Sequence, residues 1–319
     1  MIRILNAEPS GYSEKARAIL RSVGHVVERP LTQRQLRAWI PRFDILIIRL
    51  GLEVTQAVLD AAPRLRVIVT ATTGTDHIDM KEAARRHVAV LSLQGERQFL
   101  NGVPATAEHT WALLLAAVRQ IPDAVNSVRA GGWSRDAFRG RELRGKRLGL
   151  LGFGRVGEQV ASFGRAFGMR IAAFDPKRRG WPSGITRCRS LSQLLRQADV
   201  LSVHVPFTEE TRGLIDAEGL RRLPRGALLI NTSRGGLLDE QAVVDALRAG
   251  RLAGVAVDVL EGERQATTRR RSPLLAYAKR HRNVLITPHL GGATLESMER
   301  TEVFMAEKLR GWMVDRRLR

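Results

Sequence analysis

The residues best suited to chemistry begin with three glycines, Gly152, Gly154 and Gly157, at the spacing G-x-G-x-x-G. They follow the apolar run Leu148-Gly149-Leu150-Leu151, which reads as a buried parallel strand, and they lead into a helical pattern over 158–167. In a strand–turn–helix each glycine serves a different need. Gly152 permits the tight turn, Gly154 lets the backbone approach a pyrophosphate, and Gly157 lets helix and strand pack closely. The helix N-terminus offers its free N–H groups to the phosphates. A second apolar run, Arg170-Ile171-Ala172-Ala173-Phe174, ends at Asp175, where an acid accepts hydrogen bonds from an adenosine ribose. The pattern is that of a dinucleotide site. Asp175 repels a 2′-phosphate and so favours NAD over NADP, while Lys177, Arg178 and Arg179 just beyond it weaken that preference.

Ligands of doubly wound sheets collect beyond the carboxyl ends of the strands. After the glycine motif those ends deliver His204-Val205-Pro206, Asn231-Thr232-Ser233-Arg234-Gly235-Gly236, Asp258 and Pro288-His289-Leu290-Gly291-Gly292. Hydride transfer between a hydroxy acid and a nicotinamide needs a cation for the carboxylate, a proton donor and acceptor for the hydroxyl, and a partner that sets the latter's pKa. Arg234 is the best cation, because a guanidinium fork binds a carboxylate bidentately. Of seven histidines, only His204 and His289 stand at strand ends of this half. His289 is left uncovered by the two glycines after it, and His204 is placed to meet the cofactor through its backbone. The histidines at 25, 77, 87, 109 and 281 have loop or helix contexts that require no chemistry. A carboxylate beside the acid/base histidine would raise its pKa, and Glu261 and Glu263 both qualify; spacing does not choose between them.

The elements that must hold these residues form two sets. Residues 1–102 already alternate strand and helix signals, with strands at 2–5, 26–27, 45–49, 67–70 and 88–90 and helices at 13–23, 31–40, 54–61 and 80–87. This is βα repetition without a glycine fingerprint, hence a parallel sheet of its own that suits a substrate domain. A helix over 105–118 follows, and the cofactor half then supplies strands up to 284–287. The final helix, 295–313, has no strand partner left there and is expected to cross back, giving a substrate domain of 1–102 plus 291–319 and a cofactor domain of 103–290.

Composition narrows the class. The net charge is +20, but 46 arginines against six lysines are scattered over every segment, and only Arg269-Arg270-Arg271 forms a run. That scatter argues against a nucleic-acid face and leaves a field that steers anionic substrates. One cysteine, Cys188, excludes an internal disulfide, no Cys/His cluster has metal-ligand spacing, and the N-terminus is too quickly polar for a signal peptide. With no apolar run long enough to span a membrane, a cytoplasmic location is expected.

Taken together, the chain resembles the D-isomer-specific 2-hydroxyacid dehydrogenase family, which includes 3-phosphoglycerate dehydrogenase and glyoxylate/hydroxypyruvate reductases. The matching stretches are Thr73-Gly74-Thr75-Asp76-His77-Ile78-Asp79, Thr106-Ala107-Glu108-His109-Thr110, the glycine turn, His204-Val205-Pro206, the loop 231–236, Asp258-Val259-Leu260-Glu261-Gly262-Glu263 and Thr287-Pro288-His289-Leu290-Gly291-Gly292-Ala293-Thr294. The resemblance implies a flavodoxin-like substrate domain beside a Rossmann NAD domain, an α/β fold of two doubly wound parallel sheets. It implies that Arg234 binds the substrate carboxylate, that His289 is the acid/base and that Glu263 pairs with it. It further implies that Asp258 holds the nicotinamide carboxamide and that amides around Gly74 and Thr75 bind the carboxylate. Thr106, Arg155 and Val156 would touch the pyrophosphate, and Val205, Pro206, Thr211, Thr232, Ser233 and Gly291 would line the cofactor. Domain closure would exclude water, and the helix from residue 105 resembles a dimer-forming segment, so a homodimer is expected. Formate dehydrogenases share the architecture but resemble this chain less, because they carry glutamine where Glu263 stands. A corepressor-like NAD(H) sensor on the same fold is the reading from a different class. Two stretches depart from the family: the charged loop 264–271, where proline usually follows the glutamate, and the loop 94–100. Ending near residue 319, the chain is expected to lack a regulatory domain.

Overall fold

A computed structural model describes residues 1–316 of the chain. Residues 317–319, the last of the range expected for the first domain, lie outside the described residues. The chain divides into two compact units, Met1–Gly102 with Ala293–Arg319, and Val103–Gly292.

In the first unit, strands β1 (Arg3–Asn6), β2 (His25–Glu28), β3 (Ile45–Ile48), β4 (Val67–Thr70) and β5 (Ala89–Leu91) form one parallel sheet in the order β2-β1-β3-β4-β5. β3 and β4 are buried at every position, as their unbroken apolar runs require of strands covered on both faces. One face packs Leu36, Phe43 and Val58, and the other packs Leu20 with Met305, Leu309 and Met313 of the last helix, Leu295–Asp315. That helix therefore belongs to this sheet's core.

The second unit holds seven parallel strands: β6 (Arg147–Leu151), β7 (Arg170–Phe174), β8 (Ile185–Arg187), β9 (Val200–Val203), β10 (Ala227–Asn231), β11 (Leu252–Val257) and β12 (Val284–Ile286). Their order is β12-β11-β10-β9-β6-β7-β8, so the winding reverses between β6 and β9, where such sheets bind ligands. The helix Ala105–Arg119 lies on one face, burying Ala107, Trp111, Leu114 and Val118 against Leu148 and Leu150 of β6. This packing fixes its first turn at the strand ends.

Several boundaries differ from the sequence reading for local reasons. The helix expected over 31–40 runs Gln33–Trp39, because Thr32 and Gln35 form a capping box and Pro41 follows. The one expected from residue 54 begins at Gln56, because Val54 instead pairs with Ile78 in an isolated bridge. Gln120, at φ 52°, ends the helix Ala105–Arg119, and an unanticipated helix, Ile121–Arg129, restarts with proline in its first turn. The charged loop after Glu263 contains a short helix, Ala266–Arg270.

Candidate active site

The glycine turn is shaped by three different constraints. Gly152 has φ +91°, and a Cβ there would stand 2.4 Å from the carbonyl oxygen of His204. Only glycine meets both demands. A Cβ on Gly157 would stand 2.5 Å from the Gly152 carbonyl oxygen, so the helix Arg155–Ala166 leaves its strand too closely for a side chain. Gly154 differs: its φ is ordinary, and a Cβ would meet nothing within 4 Å. The chain thus keeps an open space over the backbone at the first turn of a twelve-residue helix, whose leading N–H groups have no intrahelical acceptor. That cradle fits a pyrophosphate. Arg155 beside it is half-buried and donates to Val103 O at 2.8 Å, and burial lowers its pKa. Val156 packs against the core on the same turn.

Asp175 directly follows β7 and locks this turn, with Oδ2 accepting from Phe153 N at 3.0 Å and Oδ1 from Lys177 N at 2.9 Å. Of the neighbouring cations, Arg178 is turned back. It pairs with Glu158 at 2.5 Å, donates to Phe153 O and Gly180 O, and stacks over the Phe153 ring.

At the adjacent strand ends, His204 donates its backbone N–H to Leu151 O at 2.7 Å, and a ring nitrogen meets Ser202 Oγ at 2.8 Å. Burial pushes its imidazole pKa down to about 3, which keeps it neutral and removes it as a proton donor near neutrality. Val205 is half-buried, Pro206 is exposed, and Thr211 donates its hydroxyl to Pro206 O at 2.8 Å. Beyond β10, Asn231 is wholly buried and organises the loop that carries Arg234: its amide donates to Arg234 O at 2.8 Å, and its carbonyl accepts from Ser233 N at 3.0 Å. Ser233 Oγ donates to Val203 O, and Thr232 Oγ1 lies 2.8 Å from Thr110 Oγ1, which in turn donates to Thr106 O. Gly235 presses on the next loop so closely that a Cβ would stand 2.0 Å from the Leu260 carbonyl carbon. The Arg234 guanidinium is half-buried and donates to Ser233 O.

The two glutamates separate at once. Glu261 is exposed and lies 3.6 Å from Arg212. Glu263 folds inward, with Oε2 accepting from Leu260 N at 3.0 Å and Oε1 meeting His289 Nδ1. Burial pushes the Glu263 carboxyl up, but the His289 contact and the Leu260 amide outweigh it and hold it below the usual carboxylate range. His289 has φ 58°, an uncommon conformation for a non-glycine residue, and its Nε2 makes no hydrogen bond among the described residues.

Asp258, 1 % exposed, sits under this turn. Its Oδ1 accepts from Thr287 Oγ1 at 2.5 Å and Leu290 N at 2.7 Å, its Oδ2 accepts from Gly291 N at 2.7 Å, and His109 Nε2 approaches Oδ1 at 3.1 Å. The sequence reading gave His109 no role. A histidine one turn into a helix carries no spacing signal when its partners lie 149 and 178 positions away.

In the first unit, Gly74 and Thr75 form a turn beyond β4, where Thr72 Oγ1 donates to Gly74 O and Ile78 N donates to Thr75 O. Among the described residues no group of three or more His, Cys, Asp or Glu could hold a metal ion, and no helix is long and apolar enough to cross a membrane.

Comparison with known proteins gives these arrangements a context. Residues 111–291 match the family model "D-isomer specific 2-hydroxyacid dehydrogenase, NAD binding domain". The chain is 36% identical to the D-3-phosphoglycerate dehydrogenase of Methanocaldococcus jannaschii over 97% of its own length but 57% of that protein's. It thus spans little more than half of that relative. It is 35% identical to the hydroxypyruvate reductase of Thermotoga maritima, covering 89% of each. Among solved structures it is similar to D-lactate dehydrogenase from Aquifex aeolicus complexed with NAD and lactic acid. The TM-score is 0.85 at 26% identity, over 98% of this chain and 96% of that one.

Proposed function

The chain belongs to the D-isomer-specific 2-hydroxyacid dehydrogenase family, and from that premise we propose that it interconverts a small D-2-hydroxy acid and its 2-keto acid by hydride transfer, using NAD. The observation that carries this reading is the His289–Glu263 pair, in which one ring nitrogen is tied to a carboxylate and the other is left with no partner among the described residues. NAD, when bound, supplies the hydride acceptor or donor at C4 of its nicotinamide. Its cradle is the glycine turn with Gly152, Gly154, Arg155, Val156 and Gly157, and Asp175 takes the adenosine ribose.

The chain's own groups handle the proton and the carboxylate. Arg234 grips the substrate carboxylate through its guanidinium fork and so fixes which face of C2 is presented. In the reducing direction His289 Nε2 gives a proton to the carbonyl oxygen as C2 gains the hydride; in the oxidising direction it takes the proton back from the hydroxyl. Glu263, ionised through the neutral range, fixes the ring and stabilises the imidazolium. His204, held neutral by burial, does not compete for this role.

A homodimer is part of the proposal. The helix Ala105–Arg119 is taken up by the unit's own core, but Ile121, Val125 and Val128 of the next helix form an exposed apolar stripe at i, i+4 and i+7, and Trp133 is 90% exposed. The test of the activity is NADH oxidation with glyoxylate, hydroxypyruvate and pyruvate, followed by the loss of NADH absorbance. Turnover with at least one supports the reading. Tight NADH binding with no turnover on any 2-keto acid overturns it in favour of an NAD(H)-sensing protein.

A further inference from the structure

His109 stands in contact with the turn that carries His289, and the count of available protons assigns it a state. A carboxylate only accepts, so the single proton of Thr287 Oγ1 goes to Asp258 Oδ1, 2.5 Å away. That hydroxyl oxygen can then only accept, and His109 Nε2, 3.0 Å from it and 3.1 Å from Asp258 Oδ1, must be the donor to both. Asp258 then has four donors, with Thr287, His109 and the Leu290 N–H on Oδ1 and the Gly291 N–H on Oδ2, and the two backbone N–H groups among them immediately follow His289. The Asp258 carbonyl also accepts from His289 N at 2.9 Å. Every hydrogen bond of Asp258 in this network is thus made to the chain itself, around a histidine at φ 58°. A non-glycine residue keeps such a conformation only where its surroundings over-determine it.

We propose that His109, acting through Thr287 and Asp258, is a positioning residue that holds the 287–291 turn so that the His289 imidazole stays against Glu263. The consequence for catalysis rests on the hydride-transfer reading above; the clamp does not. Its two histidines carry opposite tautomers. His109 is protonated at Nε2, and His289 shares its Nδ1 proton with Glu263, which leaves Nε2 without a partner among the described residues.

The test is imidazole 15N–1H NMR on the NADH-free protein, combined with steady-state kinetics, for wild type, His109→Leu and His109→Gln. The wild type is expected to show His109 as the Nε2–H form and a downfield, exchange-protected Nδ1–H signal from His289. His109→Leu should speed exchange of that His289 proton at least tenfold and lower kcat about tenfold, with NADH affinity and substrate KM within threefold of wild type. His109→Gln, which can present an N–H at the same place, should recover most of both. A His289 signal and a kcat within twofold of wild type in His109→Leu would overturn the proposal, as would an Nδ1–H tautomer at His109. If His109→Leu does not fold, His109→Ala, which likewise removes the donor to both Thr287 and Asp258, is read under the same criteria. A wild type that turns over no 2-keto acid removes the hydride-transfer reading alone, and the NMR arm still decides the clamp.

Discussion

Replacing Gly154 and Gly152 separately by alanine should divide the glycine turn into a ligand-facing and a chain-facing half. At Gly154 the backbone has φ −86°, and a methyl group would meet nothing within 4 Å. The substitution costs the folded chain no contact and reduces the freedom of the unfolded one, so stability should hold or rise by about 0.4–1 kcal/mol. The same methyl fills the space over the helix N-terminus and keeps a pyrophosphate from the backbone N–H groups. Hydrogen bonds to a charged partner are each worth about 1.5–3 kcal/mol, so loss of one weakens NADH binding by roughly 10- to 150-fold. Gly152→Ala reverses the pattern. At φ +91° alanine carries about 1–2 kcal/mol of backbone strain before its Cβ overlaps the His204 carbonyl oxygen. For a unit of this size each kcal/mol lowers Tm by about 2–4 °C, so a fall of roughly 4 °C or more is expected. The assays are thermal unfolding without ligand and NADH titration by fluorescence. Gly154→Ala with a lowered Tm and unchanged NADH affinity would refute the reasoning, because the open space would then serve the fold and not a ligand.

Three further outcomes follow from the same geometry. Glu263→Gln should lower kcat by about 10- to 100-fold through loss of a charge-assisted hydrogen bond. Because the Glu263 carboxyl is held below its ordinary value, its contribution to stability is present above the usual carboxylate range and lost as pH falls through the depressed value; acid unfolding scans should show that loss in wild type and a smaller one in the variant. Glu158→Gln releases Arg178 from its ion pair beside Asp175 and removes a negative charge, so affinity for 2′,5′-ADP should rise several-fold while that for 5′-AMP stays within twofold, both read by calorimetry. Val125→Glu puts a charge in the exposed apolar stripe of Ile121–Arg129 and should shift the dimer expected in light scattering to monomer, with the Tm of the monomer unchanged.

What the sequence made legible was whatever depends on local pattern. Unbroken apolar runs such as Ile45-Leu46-Ile47-Ile48 can only be strands buried on both faces, and the glycine spacing dictates a turn whose closest contacts lie within a few residues or on the adjacent strand. The rule that strand ends face the ligand then picked out Arg234 and two histidines, His204 and His289, as the candidates. What stayed hidden depends on how a loop closes. Spacing alone places Glu261 and Glu263 equally, and only the family resemblance pointed to Glu263; in the structure it turns inward where the Leu260 amide meets its carboxylate and the bare backbone of Gly235 presses on Leu260. His109 escaped notice because its partners come from β-strand ends far along the chain. The helix Ile121–Arg129 carries its own apolar period at Ile121, Val125 and Val128, but it follows the longer helix directly, and the break between them rests on the left-handed Gln120, a position no residue pattern announces.

The central claim is that hydride passes between NADH and C2 of a 2-keto acid while His289 supplies the proton. Reduction of glyoxylate, hydroxypyruvate and pyruvate with NADH deuterated on each face of C4 in turn, analysed by mass spectrometry and chiral chromatography, tests it most directly. One deuterium at C2 from a single labelled face, in a product of D configuration wherever C2 is a stereocentre, with His289→Ala at least a thousandfold slower, is the result expected. No deuterium in any product, or a His289→Ala variant close to wild type, would contradict it.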